Sequence, residues 1–291
     1  MLKRMQATPQ FDRTALAKIA LRMACDVRND LDLEDDEPLS AFDVCQKFGI
    51  TVRFTDINME GMYKKGPPAK IFVSALRPLP RRMFNCAHEF AHHLFEHGST
   101  IDELAERTSL KSWQDPDEFL ADSFASHFLM PTIGLRGAFN RRGWQPQSAS
   151  PTQLYAIACD FGVGYLTLIT HLHFGSREIT KARFNELVKT SPKRIRAALL
   201  GEPSDRPLVI AGPSSIAKSI DIELNTQLLL PKDSVYDTTQ LRLVKKIKNA
   251  SLFEPTKVGV TKVAAKGWAS KIRVSREAYV GLSKFRYLEE C

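Results

Sequence analysis

The amino-acid sequence predicts an α+β fold: a helical domain with a small β-sheet and helix-turn-helix-like helices, then a smaller, basic, β-rich domain. Three observations support this prediction. Apolar residues recur at three- and four-residue spacing through much of residues 1–180, which is typical of amphipathic helices. Two short alternating segments in the same part are typical of strands. From residue 220 onward, brief apolar runs predict a small sheet, so residues 181–291 are assigned to a C-terminal domain.

The first predicted helix covers residues 12–28, where Leu16, Ile19, Met23 and Val27 would form one apolar stripe. The elements that follow are an acidic, solvated linker at 30–37, a helix from about Ser40 to Phe48, and strands at 50–55 and 70–75.

A third helix is predicted from about Arg81 to Glu96, with Gly98 after its end. The next helix begins near residues 115–116, because an aspartate N-cap precedes a first-turn proline, and it stops at Pro131. The remaining helical predictions are two short helices around Gly162 within 152–173, and a helical segment at 181–200.

The composition is that of a folded protein, with 43% hydrophobic and 25% charged residues over 291 positions. The N-terminus has no apolar signal segment, and no run of eighteen uncharged apolar residues occurs, so no membrane span is expected. The five cysteines are scattered and form no C-x-x-C pair. This usage is typical of a reducing compartment, which predicts a cytoplasmic location.

The net charge of +8 is concentrated in the C-terminal part. Residues 181–291 contain 21 Lys and Arg against 11 Asp and Glu, whereas the first 180 residues are slightly acidic. A basic domain attracts nucleic acid or an acidic protein partner, but a solvated lysine-rich surface explains the same charge. Both interpretations stay open at this point.

The segment His88-Glu89-Phe90-Ala91-His92 has the spacing of a metal site on a helix. An α-helix turns about 100° per residue, so His88 and His92 lie only about 40° apart on one face and can bind one ion. Glu89 projects from the neighbouring flank, where it would reach a water molecule rather than the metal. The sequence therefore predicts His88 and His92 as metal ligands and Glu89 as a catalytic base.

A third protein ligand is needed, because a catalytic zinc site keeps its fourth position open. Glu118 is the best candidate, and Asp122 follows it by one helical turn. This pair resembles the E-x-x-x-D arrangement of gluzincin metalloproteases, in which the Glu binds zinc and the Asp accepts a hydrogen bond from a ligand histidine. Asp117 is the nearest competitor, and the alternative for Glu118 is an acid favoured by the helix dipole. Two histidines and a carboxylate suit Zn²⁺, with Mn²⁺ as a second possibility.

The chain resembles the ImmA/IrrE family of metallopeptidases over about residues 12–175. Three segments carry the match: residues 61–63 with the strand 71–74, residues 81–93, and residues 118–131. The last segment reproduces both the Glu118–Asp122 spacing and the Leu-Met-Pro that ends the helix. Phe90 and Phe128 depart from the family, which usually has Leu at both positions.

The resemblance implies a zincin-like endopeptidase domain over 1–180. Such proteins cleave Xre-type helix-turn-helix repressors and thereby switch on genes of mobile elements, toxin–antitoxin pairs or stress responses. Residues 152–175 resemble a helix-turn-helix unit, for which direct DNA binding is possible but not favoured. The alternative function is a non-proteolytic regulator or antitoxin that binds a repressor or DNA with a structural metal.

The proposed chemistry is metal-assisted amide hydrolysis, with Glu89 moving the proton. A substrate segment is expected to pair with the strand formed by Ile71, Phe72, Val73 and Ser74, which we predict at the sheet edge beside the site. Candidates for stabilising the oxyanion or contacting the substrate are Tyr63, His93 and Tyr155. His93 and His97 border the site off the axis of the ligand pair, and exposure to solvent is the alternative for both. His127 is expected to be buried or to support a ligand rather than to bind the metal.

Overall fold

The computed structural model describes residues 11–34, 36–99, 115–247 and 249–288, and the predicted α+β class is confirmed. The helices are α1 (Arg13–Asp30), α2 (Ala41–Lys47), α3 (Leu79–Leu94), α4 (Pro116–Leu129), α5 (Thr132–Asn140), α6 (Pro151–Asp160), α7 (Tyr165–Thr170), α8 (Lys181–Leu187) and α9 (Pro192–Leu200). The strands are β1 (Thr51–Thr55), β2 (Gly61–Lys64), β3 (Lys70–Ser74), β4 (Leu208–Ile210), β5 (Ser219–Glu223), β6 (Gln227–Pro231), β7 (Val235–Tyr236), β8 (Leu241–Ile247), β9 (Ala250–Pro255), β10 (Gly259–Ala265), β11 (Trp268–Ser275) and β12 (Gly281–Leu282).

The first sheet has the strand order β12-β1-β3-β2. Strand β3 pairs in parallel with β1 and antiparallel with β2, so both of its sides are hydrogen-bonded. The prediction that Ile71, Phe72, Val73 and Ser74 form an edge strand is therefore wrong. The short segment 61–64 was not predicted as a strand, because its four residues show no alternation of apolar and polar side chains. Strand β2 is the edge of this sheet on the side of α3.

Helix α3 packs on this sheet and on α4 through the apolar face that its sequence presents. Met83, Ala87 and Phe90 are buried, in keeping with their helical spacing. Phe90 contacts Phe124 of α4 edge-on, with ring centroids 6.0 Å apart. The opposite flank of α3 remains available for polar side chains.

Helix α4 begins and ends where the sequence predicts. The Asp115 carboxylate accepts hydrogen bonds from the backbone N–H of Asp117 at 2.9 Å and of Glu118 at 3.4 Å, and Pro116 occupies the first turn. Because the cap sets the start of the helix, Glu118 lies in its first turn and Asp122 one turn later. Helix α1 packs along the same helix.

Helices α6 and α7 form the helix-turn-helix-like region. Each is short, and they are bent by 100° at the turn that contains Gly162, whose φ of +62° suits glycine. The second helix and the π-helical turn after it, His171–Gly175, bury Tyr165, Leu168 and Ile169. No single helix in the described part of the chain is long and apolar enough to cross a membrane. This α6–α7 pair meets that test only when both helices are counted together.

The C-terminal part is rich in β-structure, as predicted, and contains two sheets with the orders β5-β11-β10-β7 and β4-β6-β9-β8. A hydrophobic cluster joins them, with Leu228 and Phe253 from one sheet and Val263, Ile272 and Val274 from the other. The two sheets therefore pack face to face over a common core.

Hydrophobic contacts cross the predicted boundary at residue 180. Ile195, Leu200, Leu208 and Leu252 belong to the same buried cluster as the residues of α3 and α4. Strand β12 returns to the first sheet and pairs with β1 through Arg53–Leu282. The division into 1–180 and 181–291 stays a prediction, and the change from helices to strands falls after α9.

Buried ion pairs hold the C-terminal part against α2 and α3. The Arg82 guanidinium of α3 lies 2.5 Å from the Glu223 carboxylate of β5, and both side chains are almost inaccessible to solvent. Arg286 donates to Asp43 of α2 at 2.8 Å and to Asp221 of β5 at 3.2 Å. These contacts tie the helix that carries the H-E-x-x-H segment to strand β5.

Candidate metal centre

Two helices bring together three side chains that could hold a metal ion. His88 and His92 come from α3, and Glu118 comes from the first turn of α4. The Nε2 atoms of the two histidines are 3.1 Å apart. The Glu118 carboxylate lies 3.3 Å from His88 Nε2 and 3.6 Å from His92 Nε2. Among the described residues, these three form the group whose ligand atoms all lie within 4.8 Å of one another.

The donor set fits a tetrahedral zinc ion. Ligands at about 2.0–2.2 Å from such an ion are roughly 3.3–3.6 Å from one another, close to the separations observed between these three side chains. His92 is fully buried, whereas the side chains of His88 and Glu118 are 16% and 26% exposed. The cluster is therefore shielded on the core side and open to solvent on the other.

The electrostatics of the cluster also favour a cation. Burial lowers the pKa of His88, but hydrogen bonds to Asp122 and Glu118 outweigh it and raise the pKa to about 10. Negative charge that holds a proton on an imidazole stabilises a divalent cation at the same position.

Asp122 orients the first histidine. His88 Nδ1 donates to Asp122 Oδ1 at 2.9 Å, which leaves Nε2 facing the other two side chains of the cluster. A carboxylate on the far ring nitrogen holds the ring orientation and makes the imidazole a stronger ligand. Asp117, the alternative to Glu118 as a ligand, contributes no atom to the group formed by His88, His92 and Glu118.

Asp117 and His97 form a second orienting chain, which the sequence interpretation did not assign. His97 Nδ1 lies 2.9 Å from His92 Nδ1, and Asp117 Oδ1 lies 3.6 Å from His97 Nε2. His92 Nε2 faces the cluster, so the Nδ1–H of His92 donates to Nδ1 of His97. The Nε2–H of His97 then faces the Asp117 carboxylate. His97 follows the end of α3, so helical periodicity does not place it near His92.

Glu89 is 5% exposed and lies beside strand β2. A Cβ atom at Gly61 would come within 2.7 Å of Glu89 Oε1, so any larger residue here would require the Glu89 side chain to move. Asn85, one turn earlier on α3, donates to the carbonyl of Glu60 at 2.8 Å and holds the start of β2 against the helix. Gly61 belongs to a segment that carries the family resemblance, but nothing in its spacing from Glu89 indicates that the two residues are in contact.

Two of the three candidates for oxyanion or substrate contact lie near one another. Tyr63 Oη and His93 Nδ1 are 3.0 Å apart, and their rings meet edge-on. Burial lowers the pKa of His93, with the Lys65 charge as a second cause. Tyr155 is not brought to the cluster, since its hydroxyl donates to the carbonyl of Leu208 at 2.7 Å. The Tyr155 ring, carried by α6, is part of the hydrophobic core and packs toward β4.

The contact between Asp122 and His88 leads to a prediction about metal affinity. In the Asp122→Ala variant we expect the dissociation constant for Zn²⁺ to rise by about 10- to 100-fold, because the His88 ring loses its orienting acceptor. The dissociation constant of Asp122→Asn, which retains an acceptor oxygen, should lie between those of Asp122→Ala and the wild type. Competition with a chromophoric chelator measures both constants. Equal affinities for wild type and Asp122→Ala would contradict the orienting role.

Residues 45–173 match the family described as the IrrE N-terminal-like domain, a family of peptidases. A solved structure of a Mycobacterium tuberculosis transcriptional regulator is similar at 20% sequence identity and a TM-score of 0.36. That similarity covers 55% of this chain and 46% of the other, so the chain spans less than half of the regulator's length. No curated protein sequence matches the chain significantly. The matched segment includes His88, Glu89, His92, Glu118 and Asp122, and residues 45–173 thus form a domain of the IrrE N-terminal-like family.

Proposed function

We propose that the chain is a metal-dependent endopeptidase that cleaves a helix-turn-helix repressor. The observation that carries the catalytic part is the convergence of His88, His92 and Glu118 next to the buried carboxylate of Glu89. A structural metal site has no use for an adjacent carboxylate that is not a ligand. This arrangement therefore favours hydrolysis over a purely structural metal.

His88, His92 and Glu118 would hold the ion, with Zn²⁺ favoured and Mn²⁺ as the alternative. When bound, such an ion supplies Lewis acidity and makes water more acidic at neutral pH. Glu89 acts as the general base that accepts a proton from the attacking water, and it then delivers this proton to the leaving amide nitrogen. Burial of Glu89 beside Gly61 limits the positions that its carboxylate can adopt.

Strand β2 offers the substrate a place to bind in extended form. It is the edge strand of the first sheet, and Gly61 brings it to Glu89. The opposite edge is formed by β12, which is only two residues long and pairs with β1. An extended peptide that adds to β2 would lie along the flank of α3 that carries Glu89. Tyr63 and His93, at the same edge, are our candidates for contacting the scissile carbonyl.

The proposed substrate is taken from the family of the matched domain. The lack of basic residues on α7 argues against DNA as the partner. Helix α7 exposes Leu166 and Thr170, and it contains no Lys or Arg that would contact phosphate. This composition favours a repressor protein over DNA as the partner. The free cysteines of the described residues agree with a cytoplasmic location, which we also propose.

The decisive experiment is incubation of the purified protein with Zn²⁺ and the helix-turn-helix protein encoded by the adjacent gene. We expect discrete fragments, identified by mass spectrometry, that disappear with a chelator and return when Zn²⁺ is added back. A repressor that binds stably but remains intact under all metal conditions would favour the non-proteolytic regulator instead.

The contact between Gly61 and Glu89 gives a further prediction. In the Gly61→Ala variant the new methyl group would displace the Glu89 carboxylate, so we expect kcat/KM to fall by about 100-fold, within the usual range for loss of general acid–base catalysis. Bound metal, measured by elemental analysis, should be unchanged. Gly164→Ala is the matched control, because its Cβ would meet only Thr167 Oγ1 at 3.5 Å. Equal loss in both variants would contradict the role of Gly61.

A further inference from the structure

A cavity of about 500 Å³ lies where the helical part meets the C-terminal sheets. We call it the junction cavity. It is lined by the segment before α2 (38–40), the start of α3 (78–83), the α6–α7 turn (158–167), the segment 207–209 and strand β5. A cavity of this size accommodates a small organic molecule, and sites of this kind often occur where structural units meet. The metal centre is not part of it, since none of its three ligands lines the wall.

Most of the wall is apolar. Leu39, Met83, Phe161, Val209 and Ile222 contribute side chains from five different segments of the chain. Such a lining favours an apolar body for the occupant, because burying apolar surface releases about 25 cal/mol per Å².

The carboxylates of the wall are already paired with cations. Glu223 lies 2.5 Å from Arg82, and Asp160 lies 2.7 Å from Arg142. The remaining pairs of this kind are Asp205–Lys193 at 2.6 Å and Asp221 with Arg273. A cationic ligand would therefore find no unpaired carboxylate among the described residues of the wall.

Arg196 of α9 differs from these groups. It lines the cavity and is half-buried; its Nε donates to the carbonyl of Ser204 at 3.4 Å, and its side chain also hydrogen-bonds Tyr155. No carboxylate lies within ion-pair distance of it in the described part of the chain, whereas the other wall arginines, Arg81 and Arg273, both have one. Asp205 interacts with Arg196 only through its charge, beyond ion-pair distance. A half-buried guanidinium outside a direct ion pair is suited to bind a carboxylate or similar group.

Ser40 supplies a second polar group to the wall. It is the N-cap residue of α2, yet its side chain makes no capping hydrogen bond. Its buried Oγ has no hydrogen-bond partner within the residues that the structure describes. A buried hydroxyl in a cavity wall is a hydrogen-bonding group for an occupant.

We propose that the junction cavity binds a small amphipathic organic anion, with its apolar body against the start of α3 and the α6–α7 turn and its anionic group on Arg196. This proposal does not depend on the peptidase function. The wall includes the first turn of α3, and its Glu223 pairs with Arg82 of the same helix, so the occupant would contact the element that carries His88 and Glu89.

The test is a pair of fluorescence titrations on the purified full chain without added metal. The anionic probe is 1-anilinonaphthalene-8-sulfonate, and the neutral probe is Nile red. We expect saturable binding of both. Arg196→Gln should weaken the anionic probe by about 10-fold, since a charge-assisted hydrogen bond is worth about 1.5–3 kcal/mol, and should leave the neutral probe within about 2-fold. Arg194→Gln, an exposed residue of the same helix, is the control and should change neither.

A cavity-filling variant tests the location. Thr167→Trp, in the wall, should abolish binding of both probes, whereas Thr170→Trp, exposed on the same helix, should not. Circular dichroism confirms that each variant is folded, and Leu166→Trp replaces Thr167→Trp if the latter is not. Unchanged binding in a folded wall variant, or equal effects of Arg196→Gln and Arg194→Gln on the anionic probe, would overturn the proposal. Absence of saturable binding to the wild type would overturn it as well.

Discussion

The Glu89→Gln variant is expected to lose about 10³-fold in kcat/KM for peptide hydrolysis while retaining its metal. Glutamine preserves the size of the side chain but cannot accept a proton from water, and general acid–base catalysis typically contributes 10²- to 10⁴-fold. The three proposed ligands are untouched by the change. Cleavage of the repressor, followed by mass spectrometry, gives the rate, and elemental analysis gives the metal content.

Glu96→Gln is the matched control, because Glu96 is an exposed residue just beyond the end of α3. Its hydrolysis rate should equal that of the wild type. If Glu89→Gln cleaved as fast as Glu96→Gln, the assignment of the general base would be wrong. If it lost both metal and activity, Glu89 would instead be part of the metal site.

The second large effect is expected from Arg82→Met, which should lower the free energy of unfolding by about 3–5 kcal/mol. Arg82 is 2% exposed and its guanidinium pairs with the buried Glu223 carboxylate. The substitution leaves that carboxylate in the protein interior without its cation. Urea unfolding followed by circular dichroism measures the difference.

Two further variants separate this ion pair from general damage to α3. Arg81→Met changes the neighbouring residue, whose side chain is 53% exposed and pairs with Glu60, so it should cost less than about 1 kcal/mol. The double variant Arg82→Met/Glu223→Leu removes both charges and should recover most of the lost stability. A double variant as unstable as Arg82→Met alone would show that packing, rather than the unpaired charge, is responsible.

The features that could be predicted from the amino-acid sequence are those set by residue spacing within one or two helical turns. The α+β class, the start of α4 at Asp115 and its end before Pro131 depend on helix periodicity and on capping residues, which act over one or two turns. The same periodicity places His88 and His92 on one face of α3, and in the structure their Nε2 atoms are 3.1 Å apart. The choice of Glu118 over Asp117 required the family resemblance as well.

Contacts between distant segments could not be predicted in this way. Strand β3 is paired on both sides, so β2 is an edge strand and β3 is not. The strand proposed to pair with the substrate is therefore β2 instead of the predicted β3. Gly61 contacts Glu89 from another element, and the Tyr155 hydroxyl bonds to Leu208 instead of reaching the metal centre. His97 is only five residues from His92, but it lies beyond the end of α3, where helical periodicity no longer applies.

The metal motif itself needs only one helix, since one turn of α3 brings His88 and His92 to the same face and places Glu89 on the adjacent flank. The setting of that motif depends on the whole chain. Strand β2 is positioned beside Glu89 by sheet pairing, and Arg82 is bound to Glu223 across more than a hundred residues of sequence. Burial and hydrogen bonding between distant segments determine these contacts, and neither leaves a periodic signal in the residues involved.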